Sequence, residues 1–239
     1  MSEDTKRVAN YIPTFFETED PQRARELILT KNHLMSSEER WEKETPYLCD
    51  KLTTALAPTA ESVLLDFGCG IGRLAKALIE RHSCRIIGVD ISASMRRMAE
   101  EYVASERFRV IAPETLDHEC NPVPVQPVHQ YPECNPVPYA DAAPCADHAY
   151  AVWVLQHTAH PHEEIRRIHR ALKPGGKLYL VNAPGRCVPC DLGWVNDGID
   201  IYSTVTELGF RQIDREKMSL YPDDNDPSRM HWCVTYERV

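Results

Sequence analysis

SVLLDFGCGIG, residues Ser62 to Gly72, is the stretch that decides the fold. Its first half, Ser62 to Phe67, is an apolar run of the length expected for a strand covered on both faces. The glycines at 68, 70 and 72 follow without a gap, and after them Ile71, Leu74, Ala75 and Leu78 recur at helical spacing. Strand, tight turn and helix thus run directly into one another. Glycine at 68 and 70 lets the backbone come close to a ligand and take dihedrals that side chains forbid. The spacing excludes the pyrophosphate fingerprint G-x-G-x-x-G, because Arg73 stands where its last glycine belongs. Read as D-x-G-x-G-x-G from Asp66, the motif is complete.

The pattern repeats downstream. Arg85 to Val89 reads as a second strand closed by Asp90, and Ser92 is placed to cap a helix carrying Met95, Met98, Ala99 and Tyr102 on one face. Phe108 to Ile111 reads as a third strand, and Tyr150 to Leu155, ending in Gln156 and His157, as a fourth. Pro161, with Glu163 and Glu164 in the first turn, opens a helix that turns Ile165, Ile168 and Leu172 inward. Lys173, Pro174, Gly175 and Gly176 stop it before a fifth strand, Lys177 to Val181. A last helix over Ile201 to Leu208 precedes two strands, Phe210 to Met218 and Met230 to Arg238, with no helix between them, so they are expected as antiparallel neighbours. Strands alternating with amphipathic helices give right-handed crossovers and a mostly parallel, doubly wound α/β sheet, here of seven strands with the last antiparallel.

Two regions fall outside the alternation. Residues 1–60 are polar with apolar residues at helical spacing, Ala24, Leu27 and Ile28 and then Trp41, Leu48, Leu52 and Leu56. They read as an N-terminal helical cap on a domain spanning 61–239. Residues 112–146 read as an insertion: Glu119 to Cys145 holds seven of the 18 prolines, and ECNPVP occurs at Glu119 and again at Glu133. Two copies are too few for a stacked repeat, and the segment reads as an extended polyproline-like surface loop or lid, with a recognition motif for a partner as the alternative.

The D-x-G-x-G-x-G turn, Asp90 at the close of the second strand, the fourth-strand edge Tyr150 to His157 and the turn Ala171 to Gly176 together resemble the class I S-adenosylmethionine-dependent methyltransferases. That resemblance implies a Rossmann-like methyltransferase fold and S-adenosyl-L-methionine as cofactor. It implies that Asp66, Gly68, Cys69 and Gly70 line the amino-acid and ribose part of the cofactor site, that Asp90 accepts from the ribose hydroxyls, and that Ile91 packs on the adenine. The acidic residue near the adenine would be Glu114. His157 sits where such enzymes face the acceptor: as a neutral imidazole it would take a proton from an attacking oxygen or nitrogen, and otherwise it is a histidine bonded to backbone.

Composition narrows the acceptor. With 27 Lys plus Arg against 36 Asp plus Glu, the net charge of −9 is the wrong sign for a non-specific nucleic-acid binder, which favours a small molecule. No apolar run approaches the ~20 residues that cross a bilayer, and the nine cysteines are an odd count, read as thiols in a reducing compartment. The expectation is a soluble cytoplasmic protein. Cys187 and Cys190 have half the spacing of a zinc site, but no second C-x-x-C exists, so no metal is assigned. The competing reading is a non-catalytic S-adenosylmethionine-binding module that uses its surface for protein contacts.

Overall fold

The computed structural model describes residues 10–32, 34–120, 145–183, 185–220 and 231–239. Its main sheet has seven strands in the order β3-β2-β1-β4-β5-β9-β8, formed by β1 (Val63–Phe67), β2 (Arg85–Val89), β3 (Phe108–Ile111), β4 (Ala146–Val152), β5 (Leu172–Asn182), β8 (Phe210–Lys217) and β9 (Trp232–Arg238). Strands β3 to β5 run parallel, while β9 is antiparallel to both β5 and β8. The sheet is therefore the mixed, doubly wound one that the sequence predicts, with the chain's last strand reversed.

Burial follows the pleat. Leu64 and Ile86 point into a cluster with Leu48, Leu52 and Leu56 of α2 (Ser37–Leu56) and Leu74 and Leu78 of α3 (Arg73–His82). Their neighbours Leu65 and Ile87 face a second cluster with Ile165 and Ile168 of α6 (Pro161–Ala171) and Val205 of α7 (Ile201–Glu207). The N-terminal segment is thus two things. Helix α2, begun by a capping box in which the Ser36 hydroxyl accepts from the Glu39 N–H and the Glu39 carboxylate from the Ser36 N–H, supplies one side of the core. Helix α1 (Pro21–Ile28) instead buries Ala24 beside Ile71, Met95 and Met98, at the cofactor-loop end. Ser92 caps α4 (Ala93–Val103) as expected, accepting from the Met95 N–H at 3.1 Å.

Four expectations are corrected. Strand β5 begins at Leu172 and not Lys177, so α6 stops at Ala171 and Lys173 to Gly176 lie within the strand. The fourth strand ends at Val152 and not Leu155, because Trp153 takes a φ of 61° and turns the chain out of the sheet; the apolar run continues because Leu155 is buried in the core. The supposed insertion begins with a helix, α5 (Pro113–Cys120), which puts Leu116 into the core. The rest of the proline-rich segment, with the second ECNPVP copy, lies outside the described residues. Finally, a hairpin of β6 (Val188–Cys190) and β7 (Gly193–Val195), joined by Asp191 and Leu192, follows β5 where no strands are expected.

Candidate functional site

A cavity of about 620 Å³ opens over the carboxyl ends of β1, β2 and β4. The strand order reverses between β1 and β4, so the cavity lies at the switch point where open α/β sheets bind ligands.

Its floor is the glycine turn. The N–H groups of Gly68 and Cys69 both donate to the Val89 carbonyl, at 2.7 and 3.0 Å, which ties the turn to the end of β2. Gly68 has φ +75°, and a Cβ there would sit 2.3 Å from the Val154 side chain. Gly72 has φ +79° and would meet Val103 of α4 at 2.4 Å, so its glycine serves helix packing as well as the turn. Asp90 closes the floor: its Oδ2 accepts from the Gly70 N–H and its Oδ1 from the Ser92 N–H, both at 2.9 Å. Burial raises its carboxyl above the ordinary carboxylate range, and these two bonds and Arg96 pull against that rise. An ionised carboxylate has about four acceptor positions, so two remain for a ligand. Ile91, 49% exposed, stands at the cavity edge as an apolar face.

Asp66 and Cys69 lie one layer deeper, in a recess of about 40 Å³ that also includes Arg73 and meets the main cavity at Gly68 and Trp153. Asp66 is opposite Tyr150 in the sheet register and only 4% exposed. Burial, with Asp90 nearby, pushes its carboxyl up to about 7, and Tyr150 and Arg73 offset only part of that. The Cys69 thiol is turned under the loop towards Gly88. Glu114, by contrast, is exposed in the first turn of α5, and Pro113 occupies the cavity wall. The acid that does reach the cavity from this side is Glu164 in the first turn of α6, raised by burial and bonded by Arg167.

His157 is held at both nitrogens. The Ala183 N–H donates to Gln156 Oε1 at 2.6 Å, which turns the Gln156 amide N–H₂ towards His157 Nε2 at 3.0 Å. Nδ1 therefore carries the proton and donates to the Cys187 carbonyl at 2.6 Å. Burial keeps the imidazole below its ordinary value, so it is neutral at pH 7 with its one lone pair engaged. Of the two arrangements open from sequence, this is the backbone-bonded one. Phe16 and Trp194 flank the ring at 6.0 and 5.6 Å between centroids.

The cover is built from the segment before α1 and the hairpin after β5. Tyr11 bridges to Cys190, the Ile12 N–H donates to the Pro189 carbonyl, and Phe15 meets Trp194 edge-on at 4.7 Å. Further along the same strap, Glu17 accepts from the N–H groups of Ala93 and Ser94 at the start of α4. Residues 10–19 thus span from the hairpin to α4 across the cavity mouth. Sequence reading has no signal for this strap, since its contacts join residues more than 70 positions apart. Trp194 lines the cavity; Asp197 instead forms a two-point ion pair with buried Arg186, and the Tyr202 hydroxyl donates to the Asn182 carbonyl. Among the described residues no group of three or more His, Cys, Asp or Glu gathers to hold a metal ion, around Cys187 and Cys190 or elsewhere.

A glycine turn after β1, an acid after β2 and a cavity at the switch point define a Rossmann-like methyltransferase domain. The chain belongs to that methyltransferase-domain family, which matches residues 40–224. It is 29% identical over 147 residues to an O-methyltransferase, resE, of Aspergillus sclerotiorum, covering 62% of this chain and 49% of that protein. It is 30% identical over 141 residues to the 27-O-demethylrifamycin SV methyltransferase of Amycolatopsis mediterranei, covering 58% and 45%. The chain therefore spans about half the length of these curated relatives. In fold it resembles the geranyl diphosphate C-methyltransferase of Streptomyces coelicolor, with a TM-score of 0.59 at 14% identity over 88% of this chain and 84% of that one. Among the described residues no helix is long and apolar enough to cross a membrane.

Proposed function

We propose that the protein transfers the methyl group of S-adenosylmethionine to a small acceptor with a largely apolar body. The observation that carries this reading is the two-ended cavity: Gly68, Gly70 and Asp90 at the floor, and Phe16 and Trp194 towards the cover. The donor set fits such a cofactor on two counts. Asp90 keeps acceptor positions for vicinal hydroxyls, and Asp66, buried beside the turn with its carboxyl near 7, is a charge that gains from a cationic partner such as an α-ammonium group. The bound cofactor would supply an already activated methyl group. The chain's part is then to hold the acceptor in line, and orientation of that kind is worth about 7–11 kcal/mol. The strap and hairpin keep water from the reacting centre, which strengthens every electrostatic contact inside. His157, with its lone pair on Gln156, orients the wall and takes no proton in this arrangement. The net charge of −9 supports a small molecule over a nucleic acid, and the odd count of nine cysteines supports a reducing, cytoplasmic location.

Calorimetry with S-adenosylmethionine and S-adenosylhomocysteine, followed by transfer of a labelled methyl group from the cofactor in cell extract, tests the reading. Binding with label in the organic-extractable fraction is the expected result. No binding at millimolar cofactor removes the cofactor assignment, and label confined to protein or nucleic acid removes the small-molecule acceptor. Binding without any methyl release supports the non-catalytic module instead.

A further inference from the structure

The Sγ atoms of Cys120 and Cys145 lie 2.7 Å apart with no bond between them. A disulfide bond is about 2.05 Å long, so the two sulfurs need only a small approach to join. Cys120 is the last residue of α5, whose first residue, Pro113, lines the cavity, and Cys145 immediately precedes β4. We propose that Cys120 and Cys145 form a dithiol modification site that a low-molecular-weight disulfide converts to an intramolecular disulfide, fastening α5 to the start of β4. The proposal stands apart from the methyltransfer reading.

The surroundings give each sulfur a separate part. Cys120 is buried at 9% exposure, while Cys145 is half-buried. Contact with the Cys120 thiol, in which either sulfur can donate, and Arg109 on β3 lower the Cys145 thiol against the opposing effects of burial and Glu119. Arg109 is itself fixed by a two-point ion pair with Glu119, at 2.8 and 2.6 Å. Cys145, the more exposed of the two sulfurs, is the one an oxidant reaches first, and it attacks as its thiolate. It displaces one thiolate from the oxidant R–S–S–R and becomes a mixed disulfide. Cys120 then gives up its proton, attacks the Cys145 sulfur and expels the second thiolate. Two protein thiols are oxidised, the oxidant is reduced to two RSH, and the two protein protons end on those products.

Equilibrating the full-length protein in defined ratios of reduced and oxidised glutathione, then alkylating and mapping peptides by mass, tests this directly. The expected product is one Cys120–Cys145 bridge with loss of two hydrogen atoms. Because the bridge closes a loop with a sequence separation of 25, Tm should rise by roughly 5–10 °C over the reduced protein. In Cys120→Ser the glutathione adduct should persist on Cys145, and in Cys145→Ser Cys120 should stay alkylatable. The proposal fails if both wild-type thiols remain alkylatable in oxidised glutathione, if a stable adduct accumulates on wild-type Cys145, or if either cysteine joins Cys134 or another partner. The wild-type mapping decides the matter even where a serine variant does not fold.

Discussion

Asp66→Asn separates what Asp66 costs the fold from what it does for the ligand. Asp66 is 4% exposed, and its carboxyl is pushed up to about 7 by burial. An ordinary Asp has a value of about 4, and each unit of difference is worth about 1.4 kcal/mol, so holding the ionised form in place costs the ligand-free protein about 4 kcal/mol as an upper bound. The sign follows from proton binding. Between about pH 4 and 7 the folded state holds the Asp66 proton and the unfolded chain does not, so stability falls as pH rises through that window and the full cost stands above it. Asn keeps the shape and removes the charge. Thermal melts across pH 5–9 should show Asp66→Asn gaining Tm over wild type at pH 8, by at most roughly 10 °C, with the gain shrinking towards pH 5. The same variant should bind S-adenosylmethionine about 10- to 100-fold more weakly at pH 8, the worth of a hydrogen bond to a charged group. Wild-type affinity should also fall about tenfold per pH unit below 7, as the carboxylate is lost. A variant less stable than wild type at pH 8 with unchanged cofactor affinity would refute both halves of this reasoning.

Asp90→Ala removes the acceptor for the Gly70 and Ser92 N–H groups, and calorimetry should find cofactor affinity lowered by about 10-fold or more. Gly68→Ala forces a Cβ to within 2.3 Å of Val154 at positive φ; a Tm loss equivalent to roughly 1–3 kcal/mol is expected, partly recovered by adding Val154→Ala, and denaturant melts measure it. His157→Asn leaves a neutral donor beside the Cys187 carbonyl, so kcat should change only several-fold, where loss of a general base costs about 10²–10⁴. A drop of that size with a lost pH limb would restore His157 as base. Trp194→Ala, at the cover end, should raise KM for the acceptor found by labelled transfer and leave cofactor Kd within about twofold.

Much of this was legible because it is local. The turn from Asp66 to Gly72, the acid at 90, the Ser92 cap and the alternation of strand and helix are each written within a dozen residues, where strand and helix periods act. The features that escaped are those fixed by tertiary context. Pro113 reads as the start of a proline-rich loop until Leu116 is seen to fill a core position, which makes a helix of it. Glu164 reads only as a helix-leading acid, yet the side-by-side packing of α5 and α6, tied by Asp117 to Arg167 and Arg170, brings it to the cavity while Glu114 faces outward. The hairpin at 188–195 is shorter than any periodicity can detect, and its partner for Tyr11, Cys190, lies far along the chain.

The wall around His157 shows how specificity can arise without a base. Gln156 accepts from the backbone that leaves β5, His157 donates to the backbone that enters the hairpin, and the Cys187 N–H donates back to the Gln156 carbonyl at 2.9 Å. Arg186, 1% exposed at its side chain, adds a bond to the Leu155 carbonyl while pairing with Asp197. Every polar group named in this set is matched within the protein, so the edge of β4 and the loop after β5 are locked as one rigid surface. Such a surface offers an incoming acceptor aromatic faces from Phe16 and Trp194, while Tyr11, His160 and Glu164 supply polar groups elsewhere on the cavity lining. Against this part of the wall discrimination would rest on shape, and a misfitting methylene in an apolar site costs only about 1–3 kcal/mol. The expected consequence is tolerance: a series of acceptors differing by one methylene should vary about 10- to 200-fold in kcat/KM, whereas discrimination of 10⁴ or more on a single hydroxyl would mean that His157 or Gln156 leaves this network to bind the acceptor.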